Sequence, residues 1–234
     1  MKTKALAIGG LATALAMFAG VAYADFAPKF TLALSDTKVG ANPNFDIHLE
    51  FAEGDEEIAN FKMTIPKGFD IAGDDDIADE STVPGQPVRN GADIGGGTVT
   101  IAAGPACRPG PEGGIPVKQP VTINAEIYER SRTDDEVDSG VHAVWLLDLE
   151  PANRVRLRVT GSPATGWTVE GAPDPSDNTC NPLVVDLTIE GKTADGTPVI
   201  TNPLKPGKAK FKAEIFSQDS PSVAVFNPVF KITK

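Results

Sequence analysis

Two clusters of acidic residues are the groups in this sequence whose types and spacing could do chemistry. The stretch GDDDIADE begins at residue 73, and RSRTDDEVDSG begins at residue 130. Calcium is bound by several carboxylate and carbonyl oxygens, so both stretches could hold this ion. Neither has the D-x-D-x-D-G spacing of a dedicated calcium loop, and solvated acidic loops are the alternative. The candidate ligands are Asp74, Asp75, Asp76, Asp134, Asp135 and Asp138. We expect no cofactor other than calcium.

The two cysteines form a second candidate arrangement. Cys107 and Cys180 both lie among turn-forming residues, in GPACRPGPE and SDNTCNPL. In an exported chain, two cysteines most simply pair. Closing a loop of this length would stabilise the fold by about 4 kcal/mol in the chain-entropy estimate. Metal ligation is the alternative, but the sequence has no C-x-x-C motif and no histidine near either cysteine in sequence.

Residues for nucleophilic catalysis are scarce. The only histidines are His48, on the polar side of an alternating segment, and His142, which precedes an apolar run. No G-x-S-x-G motif is present to mark a nucleophile elbow. The sequence therefore predicts a protein that is not an enzyme.

Exposed aromatic rings are the usual means of binding glycans, and few are available. Trp145 lies in an apolar segment and is expected in the core. Trp167 lies between turn-forming residues in SPATGWTVEG, which makes it the better candidate for an exposed, ligand-binding ring. Packing in the core is the alternative for Trp167.

The elements that must position these groups are β-strands. In NFDIHLEF, apolar and polar residues alternate, which is typical of a strand with one buried face. The same alternation runs through several other segments. The residues predicted to face the core are Phe45, Ile47, Leu49, Phe51, Phe61, Met63, Ile65, Val121, Ile123, Ala125, Ile127, Val155, Leu157, Val159, Ala209, Phe211, Ala213 and Ile215.

About ten such strands are separated by runs rich in proline, glycine, asparagine and aspartate, with no convincing helical stripe after the first 24 residues. Alternation with one apolar face favours antiparallel sheets packed in two layers. The predicted fold is an all-β, antiparallel immunoglobulin-like β-sandwich of about ten strands. We expect one domain over residues 25–234, and two immunoglobulin-like domains are the alternative.

The N-terminal residues indicate the compartment of the protein, and its net charge limits the classes of partner that it can bind. Two lysines, an apolar run and Ala22-Tyr23-Ala24 predict a signal peptide over residues 1–24. Without Lys2 and Lys4, 19 basic residues remain against 32 acidic ones, a net charge of −13. This charge argues against nucleic acid and anionic lipid, and it is compatible with calcium, with basic partners or with simple solubility. No membrane insertion is expected after signal cleavage.

Segments near both ends resemble secreted bacterial surface proteins built from immunoglobulin-like modules. They are SDTKVGANPNFDIHLEF with KMTIPKGFDIAG, and later PVITNPLKPGKAKFKAEIFSQD. The matching residues are Gly40, Ile65, Pro66, Gly68, Phe69, Ile200, Thr201, Asn202, Pro203, Pro206 and Gly207. The resemblance implies an adhesive or structural role at the cell surface and no catalytic residues.

These observations together predict an exported, non-enzymatic binding or structural protein. Its location would be extracellular, at the cell surface or in the periplasm, and its partner a surface or extracellular protein or a glycan. A secreted hydrolase using carboxylates of the acidic loops is one alternative, which would need a paired acid and base in a cleft. A periplasmic carrier with a closed apolar cavity is the other.

Overall fold

The structure is a computed structural model, and it describes residues 26–52, 58–73, 92–102, 119–149, 153–173, 182–218 and 220–234. These ranges contain fifteen β-strands and one short helix. In chain order they are β1 (Lys29–Leu34), β2 (Phe45–Glu50), β3 (Ile58–Ile65), β4 (Asp70–Ile71), β5 (Ala92–Ile101), β6 (Val121–Arg130), α1 (Asp134–Asp138), β7 (Val141–Leu149), β8 (Asn153–Ser162), β9 (Gly166–Pro173), β10 (Pro182–Ile189), β11 (Ile200–Thr201), β12 (Gly207–Lys210), β13 (Lys212–Ser217), β14 (Val223–Phe226) and β15 (Val229–Ile232).

Eleven of these strands form one large sheet in the order β1-β2-β10-β5-β6-β7-β8-β9-β3-β13-β14. Two small sheets, β4 with β11 and β12 with β15, accompany it. All of the strand ladders are antiparallel, so the predicted all-β, antiparallel class is confirmed. The predicted count of about ten strands was too low, because several two- and four-residue strands are too short to show alternation.

The large sheet curls until its two end strands meet. The ring of Phe30 in β1 lies 5.4 Å, centroid to centroid, from the ring of Phe226 in β14. It also lies 6.5 Å from Phe61 in β3. A sheet that folds back on itself buries the inward face of every strand, as the alternating residues require. The curl makes the sheet nearly closed. Its outer face is exposed at Asp46 of β2 and Asp186 of β10, but it is buried at β7, where Val144 and Leu146 are at most 9% exposed.

Aromatic rings fill the interior between the sheet and the two small sheets. Phe45 and Phe69 meet edge to face with 6.0 Å between ring centroids, and Phe211 lies 5.6 Å from Phe45 and 5.2 Å from Phe69. Phe230 of β15 adds a fourth ring, 5.4 Å from Phe211. Edge-to-face pairs at these distances add stabilisation beyond the area that they bury. One core cluster contains residues from β1 to β15.

Most of the predicted inward residues are buried. All four alternating apolar residues of the NFDIHLEF segment are 8% exposed or less, and the same holds for Met63, Ile65 and Val159. Phe61, Val155 and Leu157 are half-buried against the core. The prediction that Val121 faces the core is wrong, since this residue is 40% exposed. It is the first residue of β6, where the strand has only begun to enter the sheet.

The helix α1 lies where the sequence suggested an acidic loop. Thr133 caps it: the Thr133 hydroxyl accepts the Glu136 N–H, and the Glu136 carboxylate accepts the Thr133 N–H. This reciprocal capping box satisfies two backbone donors at the start of the helix. Among the described residues, no helix is long and apolar enough to cross a membrane.

The two end segments that resemble surface proteins lie side by side. Residues Asp70–Ile71 of β4 pair with Ile200–Thr201 of β11. Gly68 has a φ of +96°, and a Cβ atom there would lie 3.2 Å from Pro203. Glycine at this turn therefore supplies both the backbone conformation and the room for Pro203.

Candidate functional site

A shallow depression on the outer face of the large sheet is a candidate site among the described residues. It lies across the adjacent strands β1, β2, β10 and β5, and its volume is about 390 Å³. Alternation sends Ile47 and Leu49 of β2 to the core, so Asp46 and His48 point outward. Every polar group of the depression is therefore fixed by a strand that is held on its other face by the core.

Cross-strand register brings residues from distant parts of the chain into two rows. In the first row, His48 lies opposite Thr31 of β1 and opposite Asp186 of β10. Asp186 in turn lies opposite Thr98 of β5. The second row contains Ala33, Asp46, Thr188 and Gly96 in the same strand order.

Hydrogen bonds orient the two carboxylates of the depression. The His48 Nδ1 atom lies 2.6 Å from the Asp186 Oδ1 atom, with 43% and 56% of the two side chains exposed. The Thr188 hydroxyl donates to Asp46 Oδ1 at 2.8 Å. Each of these bonds uses the Oδ1 atom of its carboxylate.

Three consecutive glycines in β5 make the depression possible. A Cβ atom at Gly97 would lie 1.9 Å from the backbone oxygen of Asp186, and one at Gly95 would lie 2.0 Å from that of Thr188. Only glycine lets β5 approach β10 so closely. Gly96 lies between Thr188 and Glu126 in the cross-strand register, and a Cβ atom there would lie 2.6 Å from the backbone oxygen of Ala125, so β6 also approaches β5 closely.

His48 and Asp186 correspond to two of the three members of a catalytic triad, the histidine and the carboxylate. In such a triad the carboxylate holds Nδ1 and a nucleophilic hydroxyl lies on Nε2. Among the residues that the structure describes, Asp186 is the one hydrogen-bond partner of the His48 ring. The pair can donate and accept hydrogen bonds, and within the described ranges no hydroxyl is bonded to its second ring nitrogen.

An ion pair between β6 and α1 is buried. The Arg130 guanidinium forms two hydrogen bonds with the Glu136 carboxylate, at 2.7 and 2.8 Å, and both residues are at most 7% exposed. The hydrogen bond from Arg130, aided by the Thr133 N–H and against the effect of burial, lowers the pKa of Glu136 from 4.5 to about 2. This pair joins the helix to the sheet.

Calcium binding by the second acidic cluster stays a prediction, and the structure shows where three of its candidate ligands lie. Asp134, Asp135 and Asp138 lie on α1 and are exposed. Glu136, the acidic residue between them, turns inward to Arg130. Within the described ranges, no three acidic, histidine or cysteine side chains converge as a metal site. Asp74, Asp75 and Asp76 lie outside the described residues, as do Cys107 and Cys180.

Trp167 is a core residue and offers no exposed ring. It is 2% exposed, and its indole N–H donates to the backbone oxygen of Phe69 at 2.9 Å. The ring of His142 lies 4.6 Å from it, and the His142 Nε2–H donates to the oxygen of Ile71 at 2.8 Å. The packing alternative therefore holds for Trp167, because the turn-forming residues around it lie at the two ends of a buried strand.

The residues of the depression were missed by sequence reasoning, with the exception of His48. Asp186 and Thr188 are the outward residues of LVVDLTIE, and the run of glycines at 95–97 interrupts a strand. An interior glycine run is a signal of close backbone approach. No protein-family model matches this chain, and no curated protein matches it.

Proposed function

We propose that this chain is an exported, non-enzymatic binding or structural protein of the cell surface or the extracellular space. The outer-face depression is the observation that carries the binding role. Its polar side chains stand on neighbouring strands of one sheet, so a ligand would meet groups that are already in place, and little ordering cost would accompany binding.

The fold that we propose for this role is an immunoglobulin-like sandwich made from one curled sheet. The ring contacts of Phe30 with Phe61 and Phe226 support two facing layers, one containing β1, β2 and β10 and the other β3, β13 and β14. The predicted signal peptide and the resemblance of both end segments to surface proteins support export.

The two alternatives fit the described geometry less well. A hydrolase using carboxylates of the acidic loops would need a paired acid and base in a cleft, and the described candidates Asp134, Asp135 and Asp138 are exposed on α1. The His48–Asp186 pair, a different acid and base, has no hydroxyl on the second ring nitrogen among the described residues. A carrier would need an enclosed apolar cavity. In the described part of the chain, the interior instead holds the contacting rings of Phe45, Phe69, Phe211 and Phe230.

Two measurements test the proposal. Protease treatment of intact producing cells should degrade the protein, whereas a protein enclosed in the periplasm would survive until the outer envelope is opened. Chromogenic ester, phosphate and glycoside substrates should be turned over no faster by the wild-type protein than by His48→Ala. Turnover that is lost in His48→Ala would establish a hydrolase and overturn the proposal.

A further inference from the structure

We propose that the depression binds the cationic end of a lysine or arginine side chain presented by a basic partner protein. This inference rests on the proposed binding function and specifies the chemistry of its ligand. It follows from the position of two carboxylates, from the glycine-lined wall of the depression beside them and from the charge of the chain.

The two carboxylates stand diagonally across neighbouring strands. Asp46 lies opposite Thr188, and Asp186 lies opposite His48 two residues further along. Diagonal neighbours on one face of a sheet are about 7–8 Å apart, within reach of long side chains. A cation between them can therefore contact both carboxylates at once.

Each carboxylate has one oxygen left for a ligand. Oδ1 of Asp46 accepts the hydroxyl of Thr188, and Oδ1 of Asp186 is bonded to His48. In the described part of the chain, neither Oδ2 atom has a hydrogen-bond partner. An ammonium group offers three donors and a guanidinium offers five, so either can use both free oxygens.

The glycines give the stem of such a side chain a place to lie. Gly96 and Gly97 form one wall of the depression, next to Thr98. Lysine and arginine bury their methylene stems along apolar surface while the charged end stays hydrated. The lining contains no phenylalanine, tyrosine or tryptophan, which disfavours a sugar, since sugar binding usually uses stacking on these rings.

Charge around the depression favours a cation over an anion. Glu126 lies across Gly96 from Thr188, on the same outer face as Asp46 and Asp186. The whole chain carries a net charge of −11. A field of one sign steers ligands of the opposite sign to the surface and raises their association rate.

The test is an NMR titration of the protein with blocked peptides. The ligand is acetyl-Gly-Lys-Gly-Lys-Gly-amide, and the matched peptide has norleucine in place of lysine. We expect the lysine peptide to shift the amide signals of Thr31, Gly96, Gly97 and Thr98, and the norleucine peptide to leave them unchanged. Putrescine distinguishes a free diamine from a peptide side chain, and we expect it to bind more weakly than the peptide.

Two isosteric variants locate the site. Asp46→Asn with Asp186→Asn should raise the dissociation constant about tenfold, the sum expected for two exposed ion pairs. Asp134→Asn with Asp135→Asn removes the same charge from α1 and should change the dissociation constant less than twofold. A circular dichroism melt of both variants checks that they fold.

Four results would overturn the inference: no shifts in the depression, equal weakening by both variants, binding of the norleucine peptide, or binding of neutral oligosaccharides in place of the basic peptide. The proposed function fails by other results, namely catalysis that depends on His48 or enclosure of the protein within the cell envelope. The two failures are therefore distinguishable.

Discussion

The Arg130–Glu136 ion pair and the His48–Asp186 hydrogen bond differ in what surrounds them. The Arg130–Glu136 pair is buried, doubly hydrogen-bonded and tied to a helix cap, and the His48–Asp186 pair is about half exposed with a single bond. Charges that are buried must be paired, because an unpaired one costs several kcal/mol. The first pair therefore serves the fold, and the second leaves hydrogen-bonding capacity for a ligand.

The largest effect that we expect is from Glu136→Ala. This change leaves the Arg130 guanidinium buried without its bidentate partner and also removes the capping box of α1. Loss of one partner of a buried pair costs about 3–5 kcal/mol in the free energy of unfolding. Chemical denaturation measures it. Asp135→Ala, on the exposed side of the same helix, is the control and should cost under about 1 kcal/mol. Equal losses of unfolding free energy in the two variants would mean that the Arg130–Glu136 pair is not buried.

The acid side of the stability profile should depend on the same carboxylate. Because folding lowers the pKa of Glu136 from 4.5 to about 2, its charge stabilises the folded state fully above pH 4.5. That contribution is lost as the pH falls from 4.5 toward 2 and amounts to about 3 kcal/mol.

Glu136→Gln removes this titration, so its free energy of unfolding should fall less steeply between pH 5 and pH 2 than that of the wild-type protein. Urea unfolding at a series of pH values gives both slopes. Parallel slopes in the two proteins would mean that Glu136 titrates normally in the folded state.

Gly97→Ala should test the close approach of β5 to β10 beneath the depression. Its new Cβ atom would overlap the backbone oxygen of Asp186, which can move only if the strands separate. Steric insertion of this kind costs about 1–3 kcal/mol. Gly207→Ala is the matched control: its Cβ would meet no atom within 4 Å, and thermal melts should show a change within about 0.5 kcal/mol. A harmless Gly97→Ala would mean that the strands are further apart.

The smallest effect should come from His48→Ala. An exposed pair contributes about 0.2–1 kcal/mol, so the free energy of unfolding should fall by no more than this. Thr31→Ala, which alters the same row without touching the pair, is the control. A loss above about 2 kcal/mol on His48→Ala would give the exposed pair a structural role that its burial does not support.

Local pattern was enough to predict the strands, because alternation depends on residues that are near in sequence. It gave the buried faces of β2, β6 and β8 with one error at Val121. The short helix α1 was missed, although Thr133 and Glu136 have the spacing of a capping box. The helix has only five residues, which is too short for the apolar stripe by which a helix is recognised in a sequence.

Pairing over long distances could not be predicted. His48 and Asp186 are 138 positions apart, and their contact depends on β10 lying beside β2. Alternation shows which side of each strand is buried but not which strands are neighbours. The single curled sheet and the depression therefore could not be predicted from it. His48 was expected to be solvated on a polar face, and its exposure agrees, but its partner was not foreseen. The disulfide between Cys107 and Cys180 stays a prediction, which the mass of the non-reduced protein tests.

Paired double-mutant cycles measure the coupling free energy within Arg130–Glu136 and within His48–Asp186, and they test the difference between these two pairs most directly. One cycle uses Arg130→Met and Glu136→Gln, and the other uses His48→Ala and Asp186→Asn, all measured by urea unfolding at pH 7. We expect a coupling free energy of about 2–3 kcal/mol for the buried pair and below about 1 kcal/mol for the exposed pair. A coupling at His48–Asp186 as large as that at Arg130–Glu136 would contradict the assignment of one pair to the fold and the other to binding.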